Sequence, residues 1–211
     1  MSIDKDGDFE VMFWKDIQLL NINNYDATSL CDIWSLIKNA TELEVINISS
    51  CNNMESLVSS SWFCSAPVLL PSCSGIFSSL KRFFCARCTS MKKLFPLVLL
   101  PNLVNLEMIV VEACEKMEEI IGGTRSDEEG VMGEESSNNK FKLPKLGSLC
   151  LAGLPELKSI CNAKLNCDFL QYIRVENCEK LKRLSICLPL LENGQPSPLS
   201  FLKEIFAFPK K

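Results

Sequence analysis

The residue type best able to do chemistry in this chain is cysteine. There are twelve in 211 residues, and Cys85 and Cys88 stand at the C-x-x-C spacing of a metal clamp or a redox pair. Thiolates so placed can ligate zinc or exchange disulfides. Neither chemistry is completed elsewhere. No second C-x-x-C exists, and histidine is absent, which removes Ser–His and Cys–His nucleophile pairs and imidazole ligands together. Asp127, Glu128, Glu129, Glu134 and Glu135 could attract a hard cation, but they lack the alternating ligands and fixed glycine of a calcium loop. A solvated insertion is the expectation there. Neither G-x-x-x-x-G-K-[ST] nor G-x-G-x-x-G occurs, so no phosphate-cradling loop is indicated. The chain is read as non-catalytic, with no cofactor and no metal.

The cysteines make sense once the elements that hold them are seen. The same phrase recurs as LEVINISSCNNMESLV from Leu43, LKRFFCARCTSMKKLF from Leu80, LEMIVVEACEKMEEII from Leu106, LGSLCLAGLPELKSI from Leu146 and LQYIRVENCEKLKRLSI from Leu170. That is L-x-x-L-x-L-x-x-C with apolar residues every third position after it, the leucine-rich repeat. Cys51, Cys88, Cys114 and Cys178 occupy the repeat's own cysteine position, and Cys85 replaces a core aliphatic. C-x-x-C is therefore dictated by the repeat. The N-terminus, MSIDKDGDFE, has no apolar export segment. The thiols are expected to be reduced and packed, in a cytoplasmic protein. On the same ground the sequons at Asn39 and Asn47 are expected to stay unglycosylated.

Degenerate repeats begin at Ile17 and Leu202, and the spacing between starts runs from roughly 24 to 40 residues. Residues 1–16 read as a lead-in and 17–211 as one repeat domain, an α/β solenoid with a parallel sheet on its concave face and an irregular or short-helical convex side. Two insertions account for the uneven spacing. Residues 59–79 are rich in Ser and Pro, and 122–140 are acidic and too polar to offset their ordering entropy, so disorder is expected there. Positions such as Cys114, Met117 and Ile120 recur every third residue, as in a turn or a loose 3₁₀-like return. Residues 29–39 are the best helix candidate, with Leu30, Ile33, Trp34 and Ile37 at helical spacing. A membrane-spanning helix is not indicated, because the longest apolar run, 94–106, is cut by Pro96 and Pro101. Net charge of −4 and a pI near 5.1 argue against nucleic-acid binding.

Strand alternation sorts the side chains. In LGSLCLAG, Leu149 and Leu151 share the inner face and Cys150 takes the other. The outer face then presents one residue per repeat. A central ladder reads Asn21, Asn47, Phe84, Val110, Cys150, Arg174, Phe206, and the ladder before it Leu19, Val45, Arg82, Met108, Ser148, Tyr172, Glu204. Phe84, Met108, Val110 and Tyr172 form an apolar strip beside Arg82 and Arg174. Aromatics, Met and Arg are what protein interfaces favour. These six residues are the candidate contacts, with two occupants open: an external partner or another domain of a larger protein.

The repeats resemble the C-terminal leucine-rich repeats of plant coiled-coil nucleotide-binding immune receptors. The resemblance rests on Leu106, Ile109, Val111, Cys114, Met117, Glu119, Ile120 and Ile121, on the acidic Ser-rich insertion followed by FKLPKLGSLCLAGLPELKSI, and on the ending LPLLENGQPSPLSFLKEIFAFPKK. It implies a recognition and autoinhibition module. Its partner would be a pathogen effector, a guarded host protein, or the receptor's own nucleotide-binding domain. Neither a P-loop nor a coiled coil precedes the repeats, and Ile17 follows no polar capping repeat, so a fragment of such a receptor is expected. A stand-alone repeat scaffold or substrate-selecting adaptor is the other reading.

Overall fold

The computed structural model describes residues 2–3, 17–30, 41–58, 75, 77–122, 141–161, 164–182, 184–187 and 201–208. Most of the helix expected at 29–39, the Ser/Pro-rich insertion and the acidic insertion lie outside the described residues.

Among the described residues fourteen strands follow one another in chain order: β1 (Ser2–Ile3), β2 (Leu19–Asn23), β3 (Val45–Ser49), β4 (Arg82–Ala86), β5 (Lys93–Pro96), β6 (Met108–Glu112), β7 (Glu119–Gly122), β8 (Phe141–Lys142), β9 (Ser148–Ala152), β10 (Ser159–Cys161), β11 (Leu165–Asn166), β12 (Tyr172–Glu176), β13 (Ile186–Cys187) and β14 (Glu204–Phe208). Eight of them form one sheet in the order β1-β2-β3-β4-β6-β9-β12-β14. Every pairing in it is parallel. The return path builds two further parallel sheets, β10-β7-β5 and β13-β11-β8. Parallel neighbours joined by long crossovers are what a coil of two to four dozen residues must produce. The chain is a leucine-rich-repeat solenoid.

The first inward rung is Leu20, Ile46, Phe83, Ile109, Leu149 and Ile173, all buried. Leu149 and Ile173, neighbours on this rung, are 1% and 3% exposed. A second rung runs through Ile22, Ile48, Cys85, Val111 and Leu151. Phe83 on the large sheet meets Phe95 on the return sheet edge to face, with centroids 4.8 Å apart at 66°. Phe77 packs on Phe95 in the same manner at 6.4 Å. These rings join the two sheets across the middle of the coil. Each buried Leu, Ile or Phe contributes about 1.5–3 kcal/mol, less than one coil's ordering costs, so adjacent coils must share faces.

Six strands of the large sheet, β2, β3, β4, β6, β9 and β12, end in the same device. The residue after each is left-handed: Asn24, Ser50, Arg87, Ala113 and Asn177 at φ of 51–55°, and Gly153 at 64°. That turn aims its N–H at the next coil. Ser50 N–H donates to Ala86 O, Arg87 N–H to Glu112 O, and Ala113 N–H to Ala152 O, at 2.9–3.0 Å. Ser, Arg and Ala there forgo roughly 1–2 kcal/mol relative to glycine, partly offset by that inter-coil bond. The cysteine follows. Its thiol lies 3.4–3.5 Å from the carbonyl two residues earlier in Cys51, Cys88, Cys114 and Cys178. Its own carbonyl accepts from the N–H three residues on, as in Met54 to Cys51, Met91 to Cys88 and Met117 to Cys114. The spacing of three is thus a turn, after which the chain extends into β5, β7 and β10. The 3₁₀ conformation is found at Leu97–Asn102.

Candidate functional site

The outward face of the large sheet places its residues by strand register. Asn21, Asn47, Phe84, Val110, Cys150, Arg174 and Phe206 pair in succession, and so do Leu19, Val45, Arg82, Met108, Ser148, Tyr172 and Glu204. Both ladders run as the alternation requires. Arg82, Phe84, Met108 and Val110 come together on the adjacent strands β4 and β6. Tyr172 and Arg174 stand on β12, beyond Ser148 and Cys150 of β9. At about 4.8 Å per strand this separates the two groups by roughly 10 Å. The six form two patches rather than one continuous strip.

The patches differ electrostatically. Arg174 Nη2 donates to Glu176 Oε2 at 2.6 Å. The bond lies along one strand between residues two apart, which share a face. It raises the guanidinium pKa still further, first through the hydrogen bond and then through Glu176's charge. Arg174 is therefore already engaged by a carboxylate. Arg82 is exposed; its backbone N–H donates to Glu44 O at 3.0 Å, while its guanidinium makes no hydrogen bond or ion pair among the described residues. Beside Arg174, burial pushes the Cys150 thiol up.

Three parts of this surface go beyond the six sequence candidates, though two of them include Tyr172, Arg82 or Phe84. The first is a third outward ladder, Asn23, Ser49, Ala86, Glu112, Ala152, Glu176 and Phe208. Its signal was the same period of two, extended one step along each strand. The second is an aromatic end. Tyr172 is 41% exposed with Lys203 Nζ 5.5 Å from its ring centroid, Phe206 stacks near Phe208 at 6.1 Å, and Phe169 stacks on Phe201 at 5.1 Å. The third is a hollow of ≈570 Å³ over β2, β3 and β4, lined by Gln18, Leu19, Glu44, Val45, Asn47, Arg82 and Phe84. Within it Glu44 Oε1 is bound to Lys81 Nζ at 2.6 Å, and Asn47 Nδ2 donates to Asn21 Oδ1 at 2.7 Å. That last bond, inside a strand, is where a glycan on Asn47 would have to attach.

Cys85 and Cys88 share no site with this face. Both are buried, and Cys85 Sγ lies 3.8 Å from Cys114 Sγ of the next coil. The hydrogen bond with Cys114, then that with Cys88 and burial, hold the Cys85 thiol well above its ordinary range. Among the described residues no group of three His, Cys, Asp or Glu could hold a metal ion, and the described cysteines are free thiols. No helix among the described residues is long and apolar enough to cross a membrane.

Similarity to known proteins agrees with this geometry. The Arabidopsis thaliana disease resistance protein RPS5 is 36% identical over 110 residues, which is 52% of this chain and 11% of that protein. The putative disease resistance protein At4g10780 of the same plant is 35% identical over 115 residues, 54% of the chain and 12% of that protein. The probable disease resistance protein At4g27220 is 33% identical over 98 residues, 46% and 10% respectively. The chain thus spans about a tenth of the length of the relatives it matches. Among solved structures, the leucine-rich repeat domain of the type III effector XopL aligns over 92% of this chain and 70% of its own, at 17% identity and a TM-score of 0.38. A family model for the leucine-rich repeats of plant RPS2-like disease resistance proteins matches residues 64–187, more than half of the chain. With its coils, turns and relatives in agreement, the chain belongs to that RPS2-like plant disease resistance leucine-rich-repeat family.

Proposed function

We propose that the outward face of the eight-stranded sheet is the protein-binding surface of an intracellular plant immune receptor. It would receive a pathogen effector, a guarded host protein or the receptor's own nucleotide-binding domain. The observation behind this reading is large apolar side chains where strand alternation normally puts polar ones: half-buried Phe84, Met108 and Val110 in one patch, and exposed Tyr172, Phe206 and Phe208 in the other. Exposed apolar patches of this kind mark binding surfaces, and aromatics dominate their energetics. The mechanism is differential binding: a partner that prefers one docking state of the repeats shifts a receptor equilibrium, and only by its difference in affinity. Of the candidate contacts, Arg82, Phe84, Met108, Val110 and Tyr172 are assigned as direct ones. Arg174, held by Glu176, is assigned to orienting its neighbours.

Affinity capture from plant extract tests this. The chain carrying Phe84→Glu with Tyr172→Glu is compared with one carrying Lys158→Glu on the return side, both checked for native melting. Each aromatic anchor is expected to contribute about 2 kcal/mol or more, so specific partners should fall by well over tenfold with the first variant and persist with the second. Equal recovery by both would place the binding surface elsewhere.

A further inference from the structure

Within the hollow over β2, β3 and β4 one cationic side chain is left without a partner among the described residues. Glu44 on its wall is matched by Lys81 at 2.6 Å, and Arg174 on β12 by Glu176 at the same distance. Arg82 is matched by nothing among the described residues, and Phe84 stands two residues along the same strand on the same face. Asn47, with its N–H group donated to Asn21, keeps its side-chain carbonyl as an acceptor. The hollow therefore offers an unpaired guanidinium fork, an apolar wall of Phe84, Val45 and Leu19, and a carbonyl acceptor, in ≈570 Å³. That volume lies within the roughly 300–1,000 Å³ of sites that engulf a small ligand or a few side chains.

We propose that this hollow is a subsite for an extended peptide segment bearing an Asp or Glu next to an aromatic or branched apolar residue. The proposal rests on the binding role of the outward face and names the partner chemistry at one end of it. The partner's carboxylate pairs bidentately with Arg82, its apolar side chain packs on Phe84, and a backbone N–H of the segment donates to the Asn47 carbonyl. Carboxylate is favoured over phosphate on charge: a phosphate group carries about −1.5 to −2 at neutral pH, and the second cation it would need, Lys81, is already bound to Glu44.

A display library of short random peptides, selected against the immobilised full chain, tests it. Recovered peptides should be enriched in an acidic residue adjacent to an apolar one. A charge-assisted hydrogen bond contributes about 1.5–3 kcal/mol, so Arg82→Gln should weaken a selected peptide by about ten- to a hundredfold, without shifting the melting temperature of an exposed site. Arg82→Lys should restore part of the loss, since it keeps the charge but not the fork. Peptides without acidic residues, unchanged affinity for Arg82→Gln, or tighter binding of a phosphoserine peptide would overturn the proposal. If Arg82→Gln is neutral while Val110→Glu abolishes binding, the outward face binds but the carboxylate subsite is wrong. Peptides indifferent to every substitution on the face would overturn the broader reading as well.

Discussion

At the scale of single residues, the cysteines show how a chemically suggestive spacing can be a packing feature. C-x-x-C was legible as part of the repeat because four turns carry cysteine at one position, and each thiol turns back toward a carbonyl of its own strand. Cys167 shows the energetic side. It is buried, and burial first, then Asp168 and Cys187, push its thiol up to about 12. The native thiol stays protonated where the unfolded chain's ionises. The stability it contributes is full below the ordinary thiol pKa of about 8.5 and is lost as pH climbs toward the folded value, by on the order of 1 kcal/mol per pH unit. Urea titrations from pH 8 to 11 should show a steeper alkaline decline in wild type than in Cys167→Ala; parallel slopes would show that this thiol is not linked to folding. Arg174 is where sequence reading stopped short. A ladder of residue types cannot say which guanidinium is already held, because the i to i+2 bond to Glu176 depends on rotamers rather than on spacing.

At the scale of elements, seven of the eight strands of the large sheet were legible, since a period of two with aliphatics on one side admits a single facing; β1 lies in the segment read as a lead-in, where Ser2–Ile3 is too short to show a period. Its register follows from aligning the first leucine of each repeat, and every outward ladder observes it. The return side was less legible. A spacing of three describes a turn and a 3₁₀ return equally well, and the bond from Met54 to Cys51 and its equivalents is common to both; what separates them is the extended chain that follows. Extended pairs such as Phe95, Ile121 and Cys161 then line up across β5, β7 and β10. The shared rung makes the array vulnerable at its centre. Leu149→Asp would bury a carboxylate between Ile109 and Ile173, its neighbours across β6 and β12. An unpaired buried charge costs several kcal/mol, so the single cooperative melting transition should split or vanish. A melting curve within a degree or two of wild type would contradict the packing described here.

At the scale of the whole molecule, the large sheet is not evenly covered. Burial declines toward β14, where Ile205, at an inward position, is 58% exposed and all five residues are accessible. An apolar edge of this kind templates association, and nature blunts such edges with lysine. Ile205→Lys should therefore reduce concentration-dependent light scattering while leaving the melting temperature nearly unchanged; a large loss of stability would show that Ile205 is part of the core after all. The return side carries a further pattern. Glu55, Lys92, Glu118 and Lys158 follow one another through backbone hydrogen bonds, with ion pairs at 3.0 Å between the first two and 2.7 Å between the last two. Exposed pairs contribute only about 0.2–1 kcal/mol each, yet their signs alternate. Losing one coil from the middle seats like against like, whereas losing two restores the order. The alternation spans these four coils and stops there, because Lys182 stands four residues after Cys178 as Lys158 does after Leu154, so these pairs guard coil order over the middle of the array alone.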